Sequence, residues 1–85
     1  MAKINIDTDK VKELTRELQN IVNDYENSVD NLFNEINNLS NIWRGPDSET
    51  FIKSCINEKK EYENIANISN QYINQINSII ELFEN

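Results

Sequence analysis

The sequence contains very little of what interrupts a helix. Glycine and proline occur once each in 85 residues, as the neighbours Gly45 and Pro46. Hairpins, sandwiches and loop-rich folds need many such residues, because Gly supplies a positive φ and Pro a fixed φ in their turns. Their scarcity predicts an all-α chain, a single domain over residues 1–85, with one break near its midpoint.

Residues that commonly carry catalysis, metal binding or covalent crosslinks are also scarce. The chain has no histidine and one cysteine, Cys55, so it cannot form an internal disulfide. Cys55 falls among apolar positions, so we expect its side chain to be a small core residue. The alternative is a disulfide bond to a second copy of the chain. We therefore expect no cofactor, no metal site and no enzymatic activity.

Positive charge and long hydrophobic runs are in short supply as well. Eight Lys and Arg against fifteen Asp and Glu give a formal net charge of −7 at pH 7. Nucleic-acid binding needs clustered basic residues, so we expect no nucleic-acid partner. No apolar run approaches the length of about 20 residues that spans a bilayer, and the N-terminus lacks the apolar centre of a Sec-type signal peptide. We expect no membrane span and no export by the general pathway.

What the chain does have is a regular spacing of apolar residues before the break. Asp7 or Thr8 can cap a helix, and with Asp7 as the cap Ile6 and Val11 have the spacing of a hydrophobic staple. Steps of three and four then predict one amphipathic helix at about residues 8–42. Its seam consists of Val11, Leu14, Leu18, Ile21, Val22, Tyr25, Val29, Leu32, Ile36 and Leu39. Many of its other positions are Asn, a mediocre helix former, so the helix depends on burying this stripe.

A second amphipathic segment follows the break. Pro46 suits the first turn of a helix, and Asp47 places negative charge near the exposed N–H groups there. The polar run 57–61 interrupts the apolar spacing, and a helix can cross it if that turn faces water or meets a polar neighbour. The seam residues of this segment are Cys55, Tyr62, Ile65, Tyr72, Ile76, Ile79 and Phe83. We predict a turn at about residues 43–46 and a helix at about 47–83.

The break holds the residues with the most specific expected roles. Gly45 suits a positive φ just past the end of the first helix. Trp43 is expected in the last turn of that helix, where its ring can pack across the corner as a core residue; a contact with a partner is the alternative. Two long helices joined by a tight turn lie antiparallel. We therefore predict a helical hairpin.

A hairpin of two helices has a thin core. Chains this small usually need an additional stabilising device, and neither a disulfide nor a metal is expected here. Packing of two hairpins into a four-helix bundle covers the apolar stripe that a single hairpin leaves wet. The predicted architecture is such a dimer, and the sequence leaves homodimer and heterodimer equally open.

The centre of the chain resembles a known family. Trp43-Arg44-Gly45, at the turn between two matched helices, is similar to the signature of the Trp-Xaa-Gly (WXG, Esx-type) proteins of type VII secretion systems. Phe51, eight residues after the Trp, and the Ile4-x-Ile6 lead-in also match the family pattern. The resemblance implies a dimeric, non-enzymatic protein that is cytoplasmic before export and secreted without a leader. Its implied partners are a second small hairpin and the ATPase of the secretion apparatus.

One part of the family pattern is missing. Its export signal is Tyr-x-x-x-Asp/Glu near the C-terminus, whereas Tyr62 is followed four residues later by Ala66 and Tyr72 by Ile76. The resemblance then implies export with a partner that carries the signal. Two alternatives stay open: a cytosolic adaptor or chaperone that pairs with the helical N-terminal region of a larger toxin, and a structural bundle without a link to secretion.

Overall fold

Two long helices joined by a three-residue break make up the part of the chain that the structure, a computed structural model, describes, residues 6–84. Helix α1 runs over Thr8–Ile42 and helix α2 over Pro46–Glu84. The structure confirms the all-α helical hairpin, and no strand occurs among the described residues. Of the positions named above, Ile4 lies outside them.

Helix α1 begins with a side-chain cap. The Asp7 carboxylate accepts a hydrogen bond from the backbone N–H of Lys10 at 3.1 Å, and the Asp7 carbonyl accepts the N–H of Val11 at 3.0 Å. Asp7 is therefore the N-cap, and Thr8 is the first helical residue. Ile6 and Val11, the two staple positions, are both half-buried.

At the break, α1 ends at Ile42, the residue at which the sequence predicted its end. Trp43 is the C-cap and not a member of the last turn, because its backbone is extended, with φ −130° and ψ 106°. Its N–H still donates to the Leu39 carbonyl at 2.8 Å, which satisfies one of the last carbonyls of the helix. The extended conformation directs the chain away from the axis of α1.

Gly45 then begins α2 and does not close α1. Its φ is +142°, and its carbonyl accepts the N–H of Glu49 at 3.1 Å and the hydroxyl of Ser48 at 3.0 Å. These are the contacts of an N-cap position, so the positive φ serves to turn the chain into the second helix. Pro46 follows as the first helical residue, where its missing N–H costs nothing.

Contacts along the whole length set the antiparallel register of the helices. Near the open end Lys12 pairs with Glu84, and further in the Gln19 amide donates to the Asn70 side-chain oxygen at 3.3 Å. The Tyr25 hydroxyl donates to the backbone carbonyl of Tyr62 at 3.0 Å. Beside the turn the Phe33 and Tyr62 rings meet edge to face, with centroids 5.8 Å apart.

The core between the helices is one row of side chains from each. Its buried apolar members are Val22, Val29, Phe33, Ala66, Ile73 and Ile80, and its buried polar members are Thr15 and Ser48. Both buried hydroxyls donate to backbone carbonyls of their own helix or cap, the Val11 and Gly45 carbonyls, so neither is left unpaired. Six apolar residues are a small core for a chain of 85.

The polar run 57–61 does not interrupt α2. Its middle residue, Lys59, is half-buried, and its ammonium lies 5.8 Å from the centre of the Phe33 ring and 3.8 Å from Glu63. The lysine stem covers apolar surface while its charge meets an aromatic face. The other four residues of the run are exposed, so this turn mostly faces water, as the sequence suggested, and Lys59 alone packs against an aromatic ring of α1.

The hairpin is long and exposes much surface. Its extents are 67 × 20 × 17 Å and its radius of gyration is 19.7 Å, against about 12 Å for a compact domain of this length. Its accessible surface is 6997 Å², whereas a compact protein of this mass exposes about 5,200 Å². The excess surface follows from the elongated shape, since each described helix packs against one other helix.

Candidate interaction surface

The structure divides the predicted seam into three groups. Val22 and Val29 are buried between the helices, and Val11, Tyr25, Ile36, Leu39, Cys55 and Ile76 are half-buried. The remaining members are exposed: Leu14, Leu18, Ile21, Leu32, Tyr62, Ile65, Tyr72, Ile79 and Phe83. Among the exposed ones, Ile21 and Tyr72 keep more than half of their surface in water, at 63% and 61%. Much of the seam therefore remains uncovered within one hairpin.

Several residues that do face the other helix were absent from the predicted seam: Thr15, Phe33, Ser48, Ala66, Ile73 and Ile80. The signal that could have found most of them is a strict seven-residue spacing. Thr15, Val22 and Val29 follow it on α1, and Ala66, Ile73 and Ile80 follow it on α2. Thr15, Ser48 and Ala66 have small or hydroxylated side chains, which allow the two helices to approach each other. Hydrophobicity alone therefore does not reveal these three residues.

Apart from Ile42, Ile56 and Leu82, the exposed apolar residues of both helices lie on the same side of the hairpin. Successive residues turn by about 100° around a helix, and on α1 the exposed apolar positions lie about 40–100° to one side of the column that includes Val22. On α2 they lie about 20–140° from the column that includes Ile73, in the same rotational sense along the chain. Because the helices are antiparallel, the same sense on both leads to one face.

We call this surface the apolar face. Its members are Leu14, Leu18, Ile21, Leu32, Phe51, Tyr62, Ile65, Ile68, Tyr72, Ile79 and Phe83. A set of this size, aligned along one side of a small protein, is the pattern of a surface that another chain covers. The opposite side is polar and carries residues such as Lys12, Arg16, Asn23 and Asn74.

The turn adds an aromatic cluster at one end. The rings of Trp43 and Phe51 pack across the corner with centroids 5.9 Å apart and 42° between their planes. Both keep a large exposed fraction, 43% for Trp43 and 39% for Phe51. The expectation of a buried Trp43 core residue is therefore wrong, because the helix ends before the residue and its extended backbone holds the ring at the surface. The exposed ring is available to a partner.

A shallow open groove of about 260 Å³ lies between the helices beside Ala66. It is lined by Tyr25, Glu26, Val29, Asp30, Tyr62, Glu63, Ala66 and Asn67. The Tyr25 hydroxyl is already engaged by the Tyr62 carbonyl, and the carboxylates at the groove are exposed. Neither a nucleophile with a base nor a paired acid and base is assembled there.

Cys55 is a free, half-buried thiol. Within residues 6–84 no group of His, Cys, Asp and Glu side chains is arranged to hold a metal ion. Neither described helix combines the length and the hydropathy needed to cross a bilayer.

No protein-family model, curated protein or solved structure matches this chain. The resemblance to the Trp-Xaa-Gly proteins therefore depends on the residues of the chain alone. The physical feature that any function must use is the apolar face together with the Trp43–Phe51 cluster.

Proposed function

We propose that this protein is a non-enzymatic partner-binding hairpin of a type VII secretion system. It serves as a co-secreted substrate or as the targeting partner of one, and it binds its partner through the apolar face. The complex is a four-helix bundle in which two hairpins cover each other. Export takes place through the type VII apparatus, and the chain is cytoplasmic before it.

The observation that carries the proposal is the one-sided exposure of apolar residues on a two-helix hairpin with Trp-Arg-Gly at its turn. Ile21 on α1 and Tyr72 on α2 lie on the same side and are mostly exposed. An isolated monomer gains nothing from a continuous apolar face, whereas helix pairs that form bundles require one. The exposed Trp43 ring at the end of this face fits recognition better than core packing.

The missing Tyr-x-x-x-Asp/Glu motif supports a role within a complex. Neither Tyr62 nor Tyr72 is followed by an acidic residue at the fourth position. A secretion apparatus that meets a folded dimer needs the motif on one chain only. The proposed partner therefore carries it, and is a second small hairpin or the helical N-terminal region of a larger toxin.

The proposal is tested by measuring export of the protein when it is co-expressed with a small hairpin or toxin encoded beside its gene. Ile79→Asp places a charge on the apolar face, and the expected result is loss of the protein from the culture supernatant, because docking then buries an unpaired carboxylate. Asn74→Asp is the matched control on the polar side and is expected to leave export unchanged. Equal export of the two variants would contradict the proposal.

A cytosolic adaptor or chaperone is the second candidate, and the same missing motif favours it. The adaptor also uses the apolar face, so Ile79→Asp abolishes partner binding in both cases. The two functions differ in where the protein is found. An adaptor stays in the cells while its partner is exported, whereas a co-secreted protein appears in the supernatant in equal amount with the partner.

A further inference from the structure

We infer that the apolar face selects a different chain, a helical partner whose own apolar stripe is bordered by Lys or Arg, over a second copy of this protein. The inference rests on the proposed function, since it requires that the face binds a partner, and it names the chemistry of that partner. It follows from the sign of the charges along the two edges of the face.

The edges of the apolar face are acidic. Side chains three or four residues apart are neighbours on a helix surface, so a charged residue at that spacing from a member of the face borders it. The carboxylates that meet this condition are all exposed, and we call them the acidic flanks: Glu17, Asp24 and Glu35 on α1, and Asp47, Glu58 and Glu61 on α2. Along the described helices, Lys10 is the one basic residue that borders the face without another contact.

Most of the positive charge of the helices lies elsewhere. Lys12, Arg16, Lys53 and Lys60 have no member of the apolar face at a spacing of three or four. Lys59 lies three residues from Tyr62, but its ammonium is directed to the Phe33 ring and to Glu63. Six carboxylates therefore border the face against the one ammonium of Lys10, and the surface that a partner must approach carries a negative charge.

This separation disfavours a second copy. Packed helices lie about 8–10 Å apart, which is within the screening length of about 10 Å at 0.1 M salt. Carboxylates border members of the face on both helices, so face-to-face packing of two copies brings the carboxylates of one copy near those of the other. Like charges across an interface suppress the wrong partner, and opposite charges favour the right one. An anionic membrane surface, which attracts basic residues, is disfavoured for the same reason.

The test uses a charge-reversed copy of the chain as a defined basic-flanked probe. The variant Glu17→Lys/Glu35→Lys/Glu58→Lys/Glu61→Lys reverses four flank charges. The control variant Glu13→Lys/Glu26→Lys/Asp30→Lys/Glu81→Lys makes the same change in net charge at exposed positions that do not border the face. We compare the sedimentation of the native chain alone with that of the native chain mixed with each variant. Each sample is measured in low salt and in about 1 M NaCl, where the screening length is about 3 Å.

In low salt, the native chain is expected to bind the flank-reversed copy at least tenfold more tightly than it binds itself or the control. Self-association of the native chain is expected to strengthen as salt rises, because screening removes the repulsion. The inference would be overturned if salt left native self-association unchanged or weakened it. Equal binding of the native chain to both variants would also overturn it. In either case the apolar face would still be a docking surface. Absence of association in every mixture and at both salt concentrations would overturn the proposed function with it.

Discussion

At the scale of single residues, the reversal of the chain depends on Gly45. The φ of +142° is a conformation that side-chain-bearing residues rarely adopt, although a Cβ added at this position meets no atom within 4 Å. The constraint is therefore on the backbone and not on packing. Trp43, by contrast, takes an ordinary extended conformation, and its exposed ring contacts Phe51.

Gly45→Val is expected to lower the free energy of unfolding by about 1–3 kcal/mol, since a β-branched residue must hold a strained φ or shift the start of α2. Urea unfolding followed by circular dichroism measures the loss. Arg44→Val is the matched control, because the described backbone outside Gly45 contains no positive φ. Equal stability of the two variants would show that the turn tolerates a different path.

Trp43→Ala and Phe33→Ala are expected to differ in their effects. Phe33 is 4% exposed and contacts Tyr62 and Lys59, so its truncation is expected to cost about 3–5 kcal/mol. Trp43 is 43% exposed, and its loss is expected to cost about 1–2 kcal/mol through the Phe51 contact and partial burial. Unfolding curves of both variants check the order. A larger loss for Trp43→Ala would mean that the ring is a core residue after all.

At the scale of the helices, the sequence predicted the elements well and their facing sides less well. Apolar spacing, the single Gly-Pro pair and Asp7 located both helices, because long periodic patterns and strong breakers are local signals. The side that meets the other helix was harder to predict, since the apolar stripe of α1 is wider than one helix can cover. Val22 and Ile21 look alike in sequence, yet one is buried and the other is 63% exposed.

The small and polar core residues explain much of this difference. Ala66, Thr15 and Ser48 are buried because they permit close helix approach and their hydroxyls are satisfied locally. Hydrophobicity alone would predict a larger apolar residue at such a core position. A larger side chain there would, however, separate the helices. Whether such a residue is buried depends on how the facing surfaces of α1 and α2 fit together, and a single sequence does not show that fit.

The cap of α1 provides a test at this scale. Asp7→Ala removes the acceptor for the Lys10 N–H and is expected to lower stability by about 1 kcal/mol. Asp9→Ala, in the same first turn, removes only a favourable interaction with the helix dipole and is expected to cost about 0.3–1 kcal/mol. Thermal unfolding of both proteins measures the difference. A larger effect at Asp9 would contradict the assignment of Asp7 as the cap.

At the scale of the whole molecule, the hairpin has too small a core for its surface. Over the described residues, six buried apolar side chains support a molecule 67 Å long, and most of the exposed apolar residues line up on one side. Folding and association are therefore expected to be linked, with the partner contributing stability that the isolated hairpin lacks. The acidic flanks then determine which partner does so.

The most direct test of the docking face is the unfolding temperature of the native chain as a function of its own concentration. In about 0.5 M NaCl, where repulsion between the flanks is screened, a hundredfold increase in concentration is expected to raise the unfolding temperature clearly, because mass action favours the associated form by about 2.7 kcal/mol. A cooperative transition of a 10.0 kDa monomer at a temperature independent of concentration would show that the hairpin is stable alone, and would contradict the account.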